Sequence, residues 1–258
     1  MAQLRAIIFD VDGTLAETER VGHRVAFNQA FAERQLGWHW SEDHYAQLLH
    51  IGGGKERIRH FIAQGAAPLP QDWQGEPDLL RLHQRKNQIY QERLDQGQIQ
   101  LRPGVLRLMQ AARSKGVQLA IATTSSPSNA IALIQKLIGP EAPSWFTVIA
   151  AGDMVPHKKP APDIYQFTLE ALDLLPQECV VIEDSEPGVR AARACHLPVI
   201  ATLHDYTRGQ DFSQANWVVT HLGEADNPCT VLQGAPQTLT QITLQDCQQL
   251  LESGAIAQ

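Results

Sequence analysis

Five short apolar runs, at 5–9, 117–122, 146–150, 179–182 and 198–202, punctuate the sequence, and each of the first four ends at a cluster of polar residues. Runs this short, largely apolar rather than alternating, are the pattern of strands covered on both faces in a parallel sheet. Helical spacing fills the intervals at 127–137, 163–172 and 187–195. The β-then-α alternation predicts an α/β fold with a doubly wound, Rossmann-like parallel sheet. One interval breaks the rhythm. Residues 17–97 carry helical apolar spacing (Val21, Val25, Phe27, Phe31, then Leu79, Leu82, Ile89) and no convincing strand. The expected organisation is therefore a core domain from 1–16 and 98–258, with an all-helical cap domain inserted at 17–97 and rejoined through 95–104. A chain of 258 residues supports such a core without metal or disulfide staples.

Charge narrows the partners. Lys and Arg total 21 against 28 Asp and Glu, a net charge of −7, so the basic footprint of a nucleic-acid binder is missing. No apolar run is long enough to span a bilayer, which excludes a membrane partner at this stage. An anionic small molecule then needs local positive charge or a metal ion. The four cysteines, Cys179, Cys195, Cys229 and Cys247, lack the paired spacing of a zinc site and read as reduced thiols. The N-terminal apolar stretch is too short and meets an acid too early for a signal peptide, and no transit peptide is visible. The expectation is a cytoplasmic monomer, or a stromal one in a plant.

Ligands of open α/β sheets bind beyond the carboxyl ends of the strands. After the first run comes Asp10-Val11-Asp12-Gly13-Thr14, whose two acids fall on one side of an extended chain. Paired acids suit a metal or an acid/base pair, although a strand-to-loop turn with solvated caps looks similar. The second run leads into Thr123-Thr124-Ser125-Ser126-Pro127, hydroxyls beside a helix start; this is an anion cradle or a plain N-cap. Lys158-Lys159-Pro160 offers a lysine on a proline-stiffened loop, or a surface pair. The fourth run delivers Glu183-Asp184, hard oxygen donors suited to Mg²⁺.

These four motifs, in this order along the whole chain, resemble the haloacid dehalogenase-like phosphohydrolases. The resemblance implies that Asp10 is a nucleophile forming an aspartyl-phosphate and Asp12 a general acid/base. It also implies that Thr123 and Lys159 hold phosphoryl oxygens, with Thr124 and Ser125 beside them. Asp10, Asp12, Glu183 and Asp184 are the expected Mg²⁺ site. The second acid at Asp12 argues for phosphate esters over halogenated acids.

The insertion sits where this superfamily carries its substrate-selecting cap. Within it, Gly52-Gly53-Gly54-Lys55-Glu56-Arg57 combines glycines with two cations at a helix start. Gly53, Gly54, Lys55 and Arg57 are read as a second phosphate site; a glycine hinge before a solvated basic turn is the plainer alternative. With Glu17 and His23 as further sugar contacts, the stretch resembles the CbbY-type phosphatases of the Calvin cycle. These hydrolyse xylulose-1,5-bisphosphate, a misfire product that inhibits Rubisco, and a bisphosphate accounts for two anion sites. The competing resemblance is to β-phosphoglucomutase, whose cap histidine would fall at Gly22 by equal spacing, one residue before His23. A one-residue shift on an α-helix turns a side chain by about 100 degrees, which weakens that reading. A generic sugar phosphatase and a non-catalytic sugar-phosphate-binding protein complete the alternatives. Trp38 and Trp40 are expected to pack the cap, and the stretch from His204 to the end says little about function.

Overall fold

A computed structural model describes residues 3–65 and 68–254. The chain divides into two compact units, Met1–Ala16 with Leu101–Gln258, and Glu17–Gln100. The sheet unit contains β1 (Ala6–Phe9), β2 (Gln118–Thr123), β3 (Phe146–Ala151), β4 (Cys179–Glu183), β5 (Val199–Thr202), β6 (Trp217–Val219) and β7 (Val231–Gln233). Their order is β3-β2-β1-β4-β5-β6-β7. All neighbours are parallel except β7, which runs antiparallel to β6. The expected α/β class and parallel sheet are present; β7, too short and too polar to stand out in the sequence, joins as an edge.

Every residue of β1 is fully buried, which is why the run is apolar without alternation. Ala6 and Ile8 on one face share a core with Ala120, Val181 and Val199 from neighbouring strands. The strand order reverses at β1, whose neighbours are β2 and β4. Their registers align Phe9 with both Ile121 and Ile182, so Asp10, Ala122 and Glu183 emerge side by side at the switch point. All four cysteines are buried and free. Burial pushes the thiols of Cys179 and Cys247 up to about 12, which leaves them inert.

The second unit begins with a π-helical turn, Glu19–His23, that runs into α1 (Arg24–Glu33). It continues through α2 (Glu42–Leu48), α3 (Gly54–Ala63) and α4 (Glu76–Asp95), with no strand among the described residues. Its return point, Leu101, lies three residues later than the expected 98. Trp40 is fully buried, with ring centroids 4.7 Å from Phe27, 4.9 Å from Phe31 and 5.5 Å from Phe61. Trp38 packs edge-on at 5.4 Å from both Phe31 and Phe61. These contacts make both tryptophans core residues of the helical unit.

The remaining helices cover the sheet: α5 (Val105–Ser114), α6 (Pro127–Leu137), α7 (Asp163–Leu172), α8 (Glu186–Ala194) and α9 (Leu244–Gly254). Among the described residues no helix is long and apolar enough to cross a membrane.

Candidate active site

Lys159 organises the carboxyl end of the sheet. Its Nζ donates to Asp10 Oδ1 at 2.7 Å, to the Ala122 carbonyl at 2.8 Å and to Glu183 Oε1 at 2.5 Å, using all three ammonium hydrogens. The three acceptors are the positions that the β1 register sets side by side, and Lys159 is 5% exposed. Burial alone would depress its pKa, but Asp10 and Glu183 more than offset that, so it is raised and the group stays charged. Lys158, by contrast, pairs at 2.7 Å with Asp153, an exposed acid. The bland reading of the lysine pair therefore holds for Lys158 alone.

Glu183 is fully buried and saturated with donors. Tyr165, in the first turn of α7, donates from its hydroxyl to Oε1 at 2.7 Å, beside Lys159. Oε2 accepts from the Asp184 N–H at 3.0 Å and from the Ser185 hydroxyl at 3.3 Å. A Cβ at Gly188 would collide with this carboxylate, so the glycine opening α8 makes room for it. Asp184 is held by Thr14, whose Oγ1 donates to Oδ1 at 3.1 Å, and by His204, whose Nε2 lies 2.8 Å from Oδ2.

Asp10, Glu183 and Asp184 each offer an oxygen within 4.8 Å of the others. Burial, with repulsion from the other two acids, holds the Asp10 pKa well above the usual carboxylate range despite Lys159. Asp184 is also raised by burial, against the lowering effect of His204. Such crowding is what a divalent cation relieves.

Asp12 does not join that cluster. β1 ends at Phe9, and the chain turns back at 13–15, with Asp12 bridging to Ala16 across the turn. The Asp12 carboxylate accepts instead from the Ser125 hydroxyl, linking the first motif to the cradle after β2. Thr123 is buried at the end of β2, and its hydroxyl accepts from the Ser125 N–H at 3.2 Å; Thr124 is half-buried beside it. Ser126 is the N-cap of α6, as the plainer reading held.

In the helical unit the sequence-derived residues separate. Gly53 has φ +98° at the start of α3, a conformation that favours glycine. A Cβ on Gly54 would lie 2.6 Å from His83 Nε2, so packing suffices to explain that glycine. Arg57 is committed internally. Its Nε donates to the Ile51 carbonyl at 3.0 Å, and its Nη1 donates to the Tyr45 hydroxyl at 3.1 Å and lies 3.7 Å from Glu19. Tyr45 in turn donates to Glu19 at 2.5 Å. This buried group pins the 51–57 turn to the π-turn, a scaffolding role that the basic spacing did not reveal. Lys55 is half-buried in the first turn of α3, and Glu17 is exposed.

His23 is 3% exposed, stacked on Tyr90 at 4.1 Å, with Lys86 Nζ 2.8 Å from its Nδ1. The His23 N–H donates to the Thr18 carbonyl at 2.8 Å, the five-residue step of a π-turn. Such a turn holds one residue more than an α-turn, so the helix beyond keeps the phase it would have with one residue fewer. The single-residue offset between Gly22 and His23 is thereby absorbed, and the 100-degree objection loses its force. Gly22 itself faces Tyr90 and Ile99, where a Cβ would lie 3.0 Å from each.

The sequence profile of the haloacid dehalogenase-like hydrolases matches residues 4–196. Protein CbbY of Rhodobacter capsulatus is 46% identical over 224 residues, 86% of this chain and 96% of that protein. The crystal structure of a CbbY mutant from Rhodobacter sphaeroides in complex with xylulose-1,5-bisphosphate is 40% identical, with a TM-score of 0.79 over 87% of this chain and 98% of that one. A β-phosphoglucomutase from Clostridium difficile shares the fold, with a TM-score of 0.75 over 98% of this chain and all of that one, at 20% identity. With the profile spanning all four motifs, and a relative this similar over most of both chains, the chain belongs to the haloacid dehalogenase-like hydrolases, in their CbbY branch.

Proposed function

We propose that this hydrolase is a Mg²⁺-dependent phosphatase acting on a small sugar phosphate through an aspartyl-phosphate at Asp10. The carrying observation is the buried Asp10 carboxylate, gripped by a charged lysine and crowded by two further acids at the switch point of the sheet. Asp10 and Asp184 are the side chains offered for the cation. Glu183, with both oxygens occupied by internal donors, serves as the anchor of Lys159 and Tyr165. Mg²⁺ bound there supplies charge neutralisation between an anionic nucleophile and a phosphate dianion.

The chain's own residues perform the transfer. An Asp10 oxygen attacks phosphorus as the bond to the sugar oxygen breaks, and Lys159 stabilises the charge that moves onto the phosphoryl oxygens. Asp12, reached from the cradle side through Ser125, gives its proton to the leaving alcohol. Its carboxylate then takes a proton from the water that attacks the aspartyl-phosphate, restoring Asp10 and releasing phosphate. The Thr123 hydroxyl, which accepts from the Ser125 N–H and keeps its own hydrogen, supplies a donor for the transferring group, with Thr124 and Ser125 lining the cradle.

Xylulose-1,5-bisphosphate is the proposed substrate, supported by the complex of the Rhodobacter sphaeroides relative. Lys55 is the proposed contact for the second phosphate, held in place by the Arg57, Tyr45 and Glu19 scaffold. Phosphate release from a panel of sugar mono- and bisphosphates tests this reading. Xylulose-1,5-bisphosphate should lead, and equal cleavage of ribulose-1,5-bisphosphate would remove it as the selected substrate. A mutase is the second reading, favoured by one observation: the π-turn that brings His23 back into phase. Conversion of β-glucose-1-phosphate to the 6-phosphate faster than any phosphate release would establish it instead.

A further inference from the structure

His204 lies two residues beyond the end of β5 and outside the stretch 4–196 that the family profile covers. Its side chain is 4% exposed, and its Nε2 sits 2.8 Å from Asp184 Oδ2. In the ionised form that a cation binds, the Asp184 carboxylate only accepts, so Nε2 then carries the hydrogen. Thr14 Oγ1 donates to the other oxygen, Oδ1, at 3.1 Å. The two donors fix the plane of the Asp184 carboxylate from opposite sides, leaving each oxygen a further lone pair.

The histidine is itself fixed. Its backbone N–H donates to Thr207 Oγ1 at 3.2 Å, and the Thr207 N–H returns to the His204 carbonyl at 3.0 Å. Arg102, buried where the chain re-enters the sheet unit, donates to the Leu203 carbonyl at 2.6 Å, to the Thr202 carbonyl at 2.9 Å and to the Gly13 carbonyl. One guanidinium thus ties the end of β5 to the loop after β1. Gly13 closes the remaining gap: a Cβ there would lie 2.7 Å from His204 Nε2. Nothing in this arrangement serves core packing alone, since apolar side chains would fill the same space without burying an imidazole beside an acid.

We propose that His204 is a positioning residue for Asp184, holding its carboxylate in the orientation that receives the divalent cation. This rests on the reading of Asp184 as a cation ligand. Partners of this kind set ligand orientation, and their loss costs roughly 10- to 100-fold in metal affinity. The test is a Mn²⁺ titration of metal-free protein, with free Mn²⁺ followed by electron paramagnetic resonance and no turnover involved. Relative to wild type, His204→Phe should weaken binding about 10-fold or more. His204→Gln, whose amide nitrogen reaches the Nε2 position, should stay within about threefold. Asp184→Asn is the reference. If Asp184→Asn binds Mn²⁺ as wild type does, the ligand reading itself fails. If Asp184→Asn loses binding while His204→Phe keeps it, the positioning role is overturned and the ligand reading stands. Equal weakening by Phe and Gln would make His204 a packing residue and would also overturn the proposal. Circular dichroism checks the fold of each variant, and His204→Ala replaces the Phe variant in the same titration should the latter not fold.

Discussion

Replacing Lys159 by methionine keeps the length of the side chain and removes its charge, taking the ammonium donor from Asp10 Oδ1 and the Ala122 carbonyl and leaving Glu183 Oε1 with the Tyr165 hydroxyl alone. Breaking a buried ion pair from one side costs about 3–5 kcal/mol, because the surviving charge has neither water nor partner. The neighbouring Lys158 faces an Asp153 that is 66% exposed, and an exposed pair is worth about 0.2–1 kcal/mol. Lys158→Met is therefore an internal control one residue away. The contribution of Lys159 has a simple pH dependence: its native pKa is raised above the usual 10.5, so the stabilisation is fully present below 10.5 and is lost only above it. Urea denaturation of metal-free protein near neutral pH, followed by far-ultraviolet circular dichroism, reads the difference directly. Lys159→Met should lose about 3 kcal/mol or more and Lys158→Met less than about 1. Adding Glu183→Gln to Lys159→Met removes one stranded charge and should restore at least about 1 kcal/mol. Equal stability of the two lysine variants, or no recovery in the double variant, would refute the buried-triad account.

Tyr165→Phe removes one donor from Glu183 and should cost about 1–3 kcal/mol in the same denaturation assay; an unchanged midpoint would mean that water replaces the hydroxyl. Asp12→Asn keeps the Ser125 partner in reach but has no proton to transfer. It should slow phosphate release from a sugar phosphate by about 10²- to 10⁴-fold, and an unchanged rate would move the acid/base role elsewhere. Because burial raises Asp10 and Asp184, the native metal-free protein holds protons that the unfolded chain has already released. Its stability accordingly falls as pH rises from the usual 3.8 towards their raised values. Mg²⁺ favours the ionised forms, so its stabilisation, about 2.7 kcal/mol at 100 times Kd, should be larger at pH 8 than at pH 5.5 in melting experiments. The opposite order would contradict a cation held by these acids.

Strand ends made much of this site readable. Asp10, Lys159 and Glu183-Asp184 follow or precede apolar runs that register then sets side by side, so local pattern and topology point the same way. Beyond the strand the sequence is less explicit: Asp12 lies past the end of β1, and its Ser125 partner, 113 residues away, leaves no local signal. The glycines at 53 and 54 fit an anion loop and a packed helix start equally well in sequence, and only the position of His83 separates the two. Tyr165, Arg102 and His204 carry no local signal, because their partners lie 18, 89 and 20 residues away and meet them only after the sheet forms. The strand-end rule, extended from the first four runs to the fifth, also reaches His204, two residues past β5. The π-turn was invisible, since nothing in Glu19-Arg20-Val21-Gly22-His23 distinguishes a five-residue turn from an α-turn by composition.

Everything in this mechanism turns on Asp10 taking the phosphoryl group. Acid-quenching the enzyme during turnover of xylulose-1,5-bisphosphate carrying ³²P in the cleaved phosphate, with Mg²⁺ present, tests it directly. Protein-bound label is expected in a peptide containing Asp10, released by hydroxylamine, with neither label nor phosphate release in Asp10→Asn. Steady phosphate release by Asp10→Asn, or turnover by the wild type with the label always in solution and never on Asp10, would contradict it.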